Sequence, residues 1–329
     1  MARPMAKPTV LALWLSGLAG AGCGSQGADS PASAASGVLT YATPTDEIHA
    51  FDFAAHRDRR LLAVGTEPDR MPSGEIVYVD TGDVGAADQL SIASADGTTH
   101  SAVIAPGTTV ASLNPVASPD GKYIAMTYFP RGFAHTLAAE NGSVFIDTAG
   151  RVVLNEPGLF DPAWVGDGRV VFAGTVDVPS GTSNADPTET TLAAGLFVSS
   201  DDGQSVVPIA GNFVSPQHPA VSKDGKWIAF VQAADVWLIG VDGLGRQQVT
   251  TGDNLESHPT FSPDGRFIAC QSYGLFGAGK PFSAIAVVLA HPEAPTKLDG
   301  TSPNFIVDAD SRDIVSGGRI TAVQHMSWR

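Results

Sequence analysis

Along most of the chain, short apolar runs are separated by compact clusters rich in Asp, Gly and Pro, the pattern of strands joined by tight turns. Four segments share one grammar: NPVASPDGKYIAM from Asn114, DPAWVGDGRVVFA from Asp161, HPAVSKDGKWIAF from His218 and HPTFSPDGRFIAC from His258. In Ser262-Pro263-Asp264-Gly265 the proline presets φ at about −65°, the aspartate can bond to backbone two residues on, and the glycine accepts positive φ. Asp120-Gly121, Asp167-Gly168, Asp224-Gly225 and Asp264-Gly265 are therefore structural turns, each joining two antiparallel strands. Ala125, Ala229 and Ala269 recur in the strand after the turn, as expected where neighbouring sheets approach closely.

A second hairpin follows each unit: Val144 to Leu154, Leu196 to Ile209, Val236 to Val249, Ile92 to Ile104 and Ile285 to Leu298. Two hairpins per repeat make a four-stranded sheet. The turn aspartates are spaced by 47, 57 and 40 residues. Two degraded copies extend the series, one ending in Asp58-Arg59-Arg60-Leu61-Leu62-Ala63 and one running from Pro303-Asn304-Phe305 to Asp308 and then Arg312-Asp313-Ile314-Val315. One such sheet cannot cover both its faces, so sheets at this period stack radially. The fold class is all-β: a six-bladed β-propeller of four-stranded blades, with Val38-Leu39-Thr40-Tyr41 supplying the outer strand that the C-terminal blade lacks. A seventh blade is the alternative, because Gln324-His325-Met326-Ser327-Trp328 resembles the opening of a repeat such as Gln217-His218-Pro219-Ala220-Val221.

The SPDG-centred repeats resemble the Pro-Asp, WD40-like repeats of TolB-type propellers over residues 38 to 329. The resemblance implies a six-bladed propeller in the cell envelope that binds other proteins, notably a peptidoglycan-associated lipoprotein. The chain departs from TolB in that a short tether, and no α/β domain, precedes the repeats.

Residues 1 to 22 read as an export signal: Arg3 and Lys7, then Val10-Leu11-Ala12-Leu13-Trp14-Leu15, then small residues. The apolar run is too short to span a bilayer. Cys23 after Gly20-Ala21-Gly22 resembles a lipoprotein processing site, which makes Cys23 the lipidated first residue. Residues 24 to 37 are small and polar, a flexible tether reaching roughly 20 Å. The expectation is a bacterial envelope lipoprotein, periplasmic or outer-membrane associated, touching membrane through its lipid only. The formal charge is −15, and losing Arg3 and Lys7 with the leader makes it −17, which excludes nucleic acid as a partner class. Cys23 and Cys270 are the only cysteines, so there is no disulfide framework; Cys270 ends an apolar strand and reads as a small buried hydrophobe. A monomer is expected.

No HExxH, GxSxG or GxxxxGK[ST] string occurs, so zinc-protease, α/β-hydrolase and P-loop chemistry have no local support. His218 and His258 each precede a proline at the start of a repeat, and His49 stands near the matching point of the first copy. In a propeller these positions face the central channel, so the three imidazoles are candidates for a divalent metal. The resemblance to oligogalacturonate lyase propellers, which hold a metal on channel histidines, points the same way. Asn114 and Asp161 occupy the matching positions of other repeats and cap strand starts equally well. Three stretches exceed what a blade needs: Thr66 to Gly74 with Glu75 to Asp88, Pro130 to Gly142, and Thr175 to Ala194. Phe129, Arg131 and Phe133 flank a glycine in the second and form the aromatic and arginine mixture favoured at protein interfaces. The leading reading is a platform binding an envelope protein or peptide, with no cofactor. The alternative is an envelope lyase or hydrolase acting on a polysaccharide or lactone with a metal in the channel.

Overall fold

In a computed structural model the described residues are 31 to 329, apart from 44, 83–88, 104–110, 130–140, 180–189, 201–204, 210, 212, 277–279, 300–304 and 307–325. They form six four-stranded antiparallel sheets. From the inner to the outer strand, blade 1 is Met326–Trp328, Val38–Ala42, Ile48–Asp52 and Arg57–Leu62. Blade 2 is Thr66–Arg70, Ile76–Asp80, Gln89–Ala93 and His100–Ala102, and blade 3 is Ala111–Ala117, Tyr123–Phe129, Gly142–Asp147 and Val152–Pro157. Blade 4 comprises Leu159–Trp164, Val170–Pro179, Thr190–Ser199 and Val206–Pro208, and blade 5 Gln217–Val221, Trp227–Gln232, Asp235–Gly240 and Gln247–Gln248. Blade 6 holds Leu255–Phe261, Phe267–Phe276, Lys280–Leu289 and Phe305–Ile306. Each inner strand touches the inner strands of the blades before and after it, and blade 1 touches blade 6, so the ring closes around a channel.

The turn chemistry is as the sequence predicts. In blades 3, 5 and 6 the serine hydroxyl donates to the turn aspartate, Ser118 to Asp120 at 2.7 Å, Ser222 to Asp224 at 2.7 Å and Ser262 to Asp264 at 2.6 Å. The following glycines have φ of 71°, 70° and 71°. The Lys122 ammonium beside it, and then the Ser118 hydroxyl, hold the Asp120 carboxyl down at about 2.

Six buried apolar clusters lie one at each junction between blades. Between blades 5 and 6, for example, Val236, Leu238 and Val249 meet Phe261, Ile268, Cys270 and Val288. Ala125, Ala229 and Ala269 are fully buried, each at a different junction, where a larger side chain would force the sheets apart. Each fully buried Leu, Ile or Val contributes on the order of 1.5–3 kcal/mol, and the six junctions together hold the ring.

Blade 1 is the seam. Val38–Ala42 forms its second strand, where the sequence suggests an outer one, and Met326–Trp328 pairs with it through Leu39↔Trp328, Thr40↔Ser327 and Tyr41↔Met326. The resemblance of the C-terminal segment to a repeat opening is real, but its three partners come from the N-terminal side, so the count is six. Trp328 stacks on Phe53 at 4.6 Å and donates its indole N–H to Ser36 O at 2.8 Å.

Several expectations are corrected. Thr66 to Gly74 with Glu75 to Asp88 is no insertion: it contains the first two strands of blade 2, and Arg57–Leu62 is the outer strand of blade 1. Phe305–Ile306 opens no sixth repeat and closes blade 6 from outside. Thr296–Leu298, expected in a hairpin with Ile285, instead runs parallel to Thr250–Gly252 and bridges blades 5 and 6.

Candidate functional site

Strand direction sorts the connections onto two faces. Each inner strand of blades 2 to 6 runs from one face to the other and ends in a tight turn, so those turns share a turn face. The starts of the inner strands, and the connections between second and third strands, share the opposite face, the mouth of the channel.

Near the mouth each of five inner strands carries a residue followed by proline: Glu67, Asn114, Asp161, His218 and His258. All five have φ between 48° and 54°. The pairing with the second strand skips there, between Thr66 and Asp69, Leu113 and Val116, Phe160 and Ala163, Gln217 and Ala220, and Ser257 and Thr260. Proline has no N–H to continue the ladder, so the strand bulges and its preceding residue turns out of the pleat. His325 holds the matching sequence position ahead of blade 1's inner strand and lies outside the described residues.

The bulged N–H groups are captured by side chains. Asn114 N–H donates to Glu67 Oε2 (2.5 Å), His218 N–H to Asp161 Oδ2 (3.1 Å), and Asp161 N–H to Thr127 Oγ1 (2.8 Å). Asn114 Nδ2 donates to Asp161 Oδ1 at 3.0 Å. Glu67 and Asp161 thus stitch blades 2 and 3 and blades 3, 4 and 5, which accounts for a buried and a half-buried carboxylate in strands that an apolar pattern would not place there.

His218 and His258 come together. Their rings stack with centroids 3.8 Å apart and planes tilted by 27°. Burial pushes the His218 imidazole below its ordinary value, partly opposed by the charge of Asp161. Stacked rings direct their in-plane lone pairs side by side rather than toward one shared ion. His49 does not join them: it sits on the third strand of blade 1, opposite Tyr41 and Arg60, two strands out from the channel and so roughly 10 Å from its inner strand. Its Nδ1 lies 2.5 Å from Asp58 Oδ2, and Tyr41 donates to Asp58 Oδ1 at 3.1 Å. The first copy is blade 1, whose inner strand is Met326–Trp328, and in the next blade the position matching His218 is held by Glu67. Among the described residues no group of three or more His, Cys, Asp or Glu is placed to hold a metal ion.

Long hairpins rise at the same mouth. In blade 4 the second and third strands stay paired out to Pro179↔Thr190, and in blade 6 out to Phe276↔Lys280. The stretch expected as an insertion from Thr175 to Ala194 is therefore ladder at both ends. Phe129 ends the second strand of blade 3, opposite Ala111, at the foot of the third long connection. Arg131 and Phe133 lie outside the described residues.

TolB from Acinetobacter baumannii superposes with a TM-score of 0.60 at 17% identity over 89% of this chain, which spans 66% of that protein, just under two thirds. A putative TolB from Agrobacterium tumefaciens gives 0.53 at 17% identity over 78% of this chain and 85% of its own. The fold is that of a TolB-like β-propeller. Kuenenia stuttgartiensis hydrazine synthase contains a similar ring, with a TM-score of 0.53 at 14% identity over 82% of this chain and 46% of its own. No family model matches the sequence, and no curated protein is significantly similar to it.

In this TolB-like propeller the foot of the blade 6 hairpin is a buried polar network that the sequence analysis missed. Glu256, 4% exposed, accepts from Ser272 Oγ at 3.0 Å and Thr250 Oγ1 at 3.4 Å, and Asn254 Nδ2 donates to Ser272 Oγ at 3.0 Å. Burial pushes the Glu256 carboxyl up to about 8, with the nearby Asp235 adding to the effect. Burial raises Asp235 as well, and Gln248 Nε2 donates to it at 3.0 Å. A glutamate two residues ahead of a histidine-proline pair is the only sequence sign of this network.

Proposed function

We propose that this chain is a lipid-anchored, extracytoplasmic binding platform of the bacterial envelope that recognises a protein or peptide at the channel mouth. The observation that carries the reading is the gathering, on one face of a rigid ring, of the channel opening and the extended second-to-third-strand connections of blades 3, 4 and 6. Recognition surfaces concentrate on such connections because the scaffold holds their feet while their tips are free to vary. The contacts lining the mouth tie blade to blade, so recognition, with no bond made or broken, is the chemistry this face supports best.

The anchor fits the same geometry. Val38 begins the second strand of blade 1, so the chain arrives from the turn face. A lipid on Cys23 then leaves the mouth pointing away from the membrane. An envelope location also agrees with the TolB-like fold. Replacing residues 130–140 or 180–189 by a short Gly-Ser turn should abolish capture of the envelope partner while the unfolding temperature stays unchanged. Retention of capture by both variants refutes the mouth as the binding face. Incorporation of labelled palmitate that is lost in Cys23→Ser tests the anchor.

A further inference from the structure

Two clefts on the turn face lie between neighbouring blades, and side chains distinguish them. One, of about 380 Å³ between blades 2 and 3, is lined by Met71, Ile92, Asp120 and their neighbours, with no aromatic side chain. The other, of about 490 Å³ between blades 4 and 5, is lined by Arg169, Lys226, Trp227, Asp242 and Leu244 over a floor that includes Gly225, Gly240 and Gly245.

Trp227 is unlike the other described tryptophans. Trp164 donates its indole N–H to Val116 O at 3.1 Å, Trp237 to Gln232 O at 3.2 Å and Trp328 to Ser36 O at 2.8 Å. Trp227 makes no such bond, and its ring is held edge-to-face by His291 at 4.6 Å. The cleft is therefore lined by an indole whose N–H donor is unspent. Beside it Leu244, 68% exposed, adds an apolar surface. The cations at the rim are already matched: Arg169 pairs with Asp167 at 2.7 Å and Lys226 with Asp224 at 3.5 Å. Asp242 adds a further acceptor. Such a rim offers donors and acceptors without a net positive field, in a chain whose formal charge of −15 repels acidic ligands.

We propose that this cleft binds a neutral pyranose saccharide of one or two rings. A sugar ring has one face of C–H groups, which suits the indole and Leu244, and an edge of hydroxyls, which suits the indole N–H, the ammonium of Lys226, the guanidinium of Arg169 and the carboxylate of Asp242. The cleft is on the opposite face from the channel mouth, so the inference stands apart from the partner-binding reading. It assigns a glycan contact to the side from which the N-terminal segment enters the ring.

The test is a titration of the ¹⁵N-labelled chain with cellobiose, maltose and N,N′-diacetylchitobiose, following the indole N–H signal of Trp227 as assigned by its loss in Trp227→Phe. The expected result is a saturable shift with at least one disaccharide, with a dissociation constant on the order of 1 mM or tighter. Trp227 also packs on the buried cluster between blades 5 and 6, so Trp227→Ala can weaken the fold. The exposed Leu244 therefore supplies the second variant. Leu244→Asp should keep the unfolding temperature and weaken binding by about tenfold. Absence of any shift up to about 50 mM disaccharide overturns the proposal. So does a Trp227 signal that responds to the acidic peptide acetyl-Glu-Glu-Glu-amide and not to the sugars, or binding that Leu244→Asp leaves unchanged.

Discussion

Glu256→Gln should make this protein more stable at neutral pH and flatten its pH dependence. In the folded chain burial holds the carboxyl up at about 8, whereas the ordinary glutamate value is 4.5. Between those two values the folded state keeps a proton that the unfolded state has released. Stability therefore falls as pH rises, by about 1.4 kcal/mol per pH unit. The contribution is fully present below about pH 4.5, is down by roughly 3 kcal/mol at pH 7, and levels off roughly 5 kcal/mol lower once pH exceeds about 8. Asp235, raised by burial as well, adds a smaller slope of the same sign at lower pH. Glutamine fills the same space and has nothing to ionise, but it cannot accept at both positions that Ser272 and Thr250 now address, a loss of about 1 kcal/mol. The variant should exceed the parent by about 2 kcal/mol at pH 7, by more at pH 9, and should match or fall below it at pH 4. Urea unfolding followed by circular dichroism at these three pH values measures the difference. Equal pH slopes in the two chains would refute the reasoning, because they would mean that Glu256 ionises in the folded ring without cost.

Asp161→Ala removes the acceptor shared by His218 N–H and Asn114 Nδ2, so it should destabilise by about 3 kcal/mol in urea unfolding; Asp161→Asn, which retains one acceptor oxygen, should cost less. Gly97 and Gly265 have similar φ, 74° and 71°, but a Cβ on Gly97 would lie 2.2 Å from Leu61 O whereas one on Gly265 would meet nothing within 4 Å. Gly265→Ala should therefore cost about 1 kcal/mol, the price of left-handed backbone, and Gly97→Ala several times that, read as separate shifts in unfolding midpoint. Trp328→Ala should cost about 3–5 kcal/mol by emptying the stack on Phe53 and dropping the bond to Ser36.

The repeats legible in the sequence were those whose turns contain Asp-Gly, because that dipeptide has one local answer wherever it occurs. The first hairpin of blade 2 escaped notice for two physical reasons. Its first turn is Met71-Pro72-Ser73-Gly74, closed by Gly74 N–H to Met71 O at 2.9 Å without an aspartate. Its inner strand reads Thr66-Glu67-Pro68-Asp69-Arg70, and both acids are buried because they accept from backbone N–H groups of blade 3, Glu67 from Asn114 and Asp69 from Ala117 at 2.8 Å. Apolar periodicity cannot reveal a strand whose burial is polar. A residue-plus-proline series would have: Glu67, Asn114, Asp161 and His218 are separated by 47, 47 and 57 residues. The same series would have excluded His49 from the channel. Short outer strands such as Phe305–Ile306 carry too few residues for any pattern, and the Glu256 network depends on residues from two blades that only packing brings together.

Blade 1 is sealed without a covalent bond: Val38 N–H reaches Arg329 O at 2.7 Å, Arg329 N–H reaches Val38 O at 3.1 Å, and Trp328 stacks on Phe53. Residues 38 and 329 are thus close enough for a short peptide linker to weld them. New termini could then be opened at an outlying hairpin tip, giving a circularly permuted ring with that seam closed covalently.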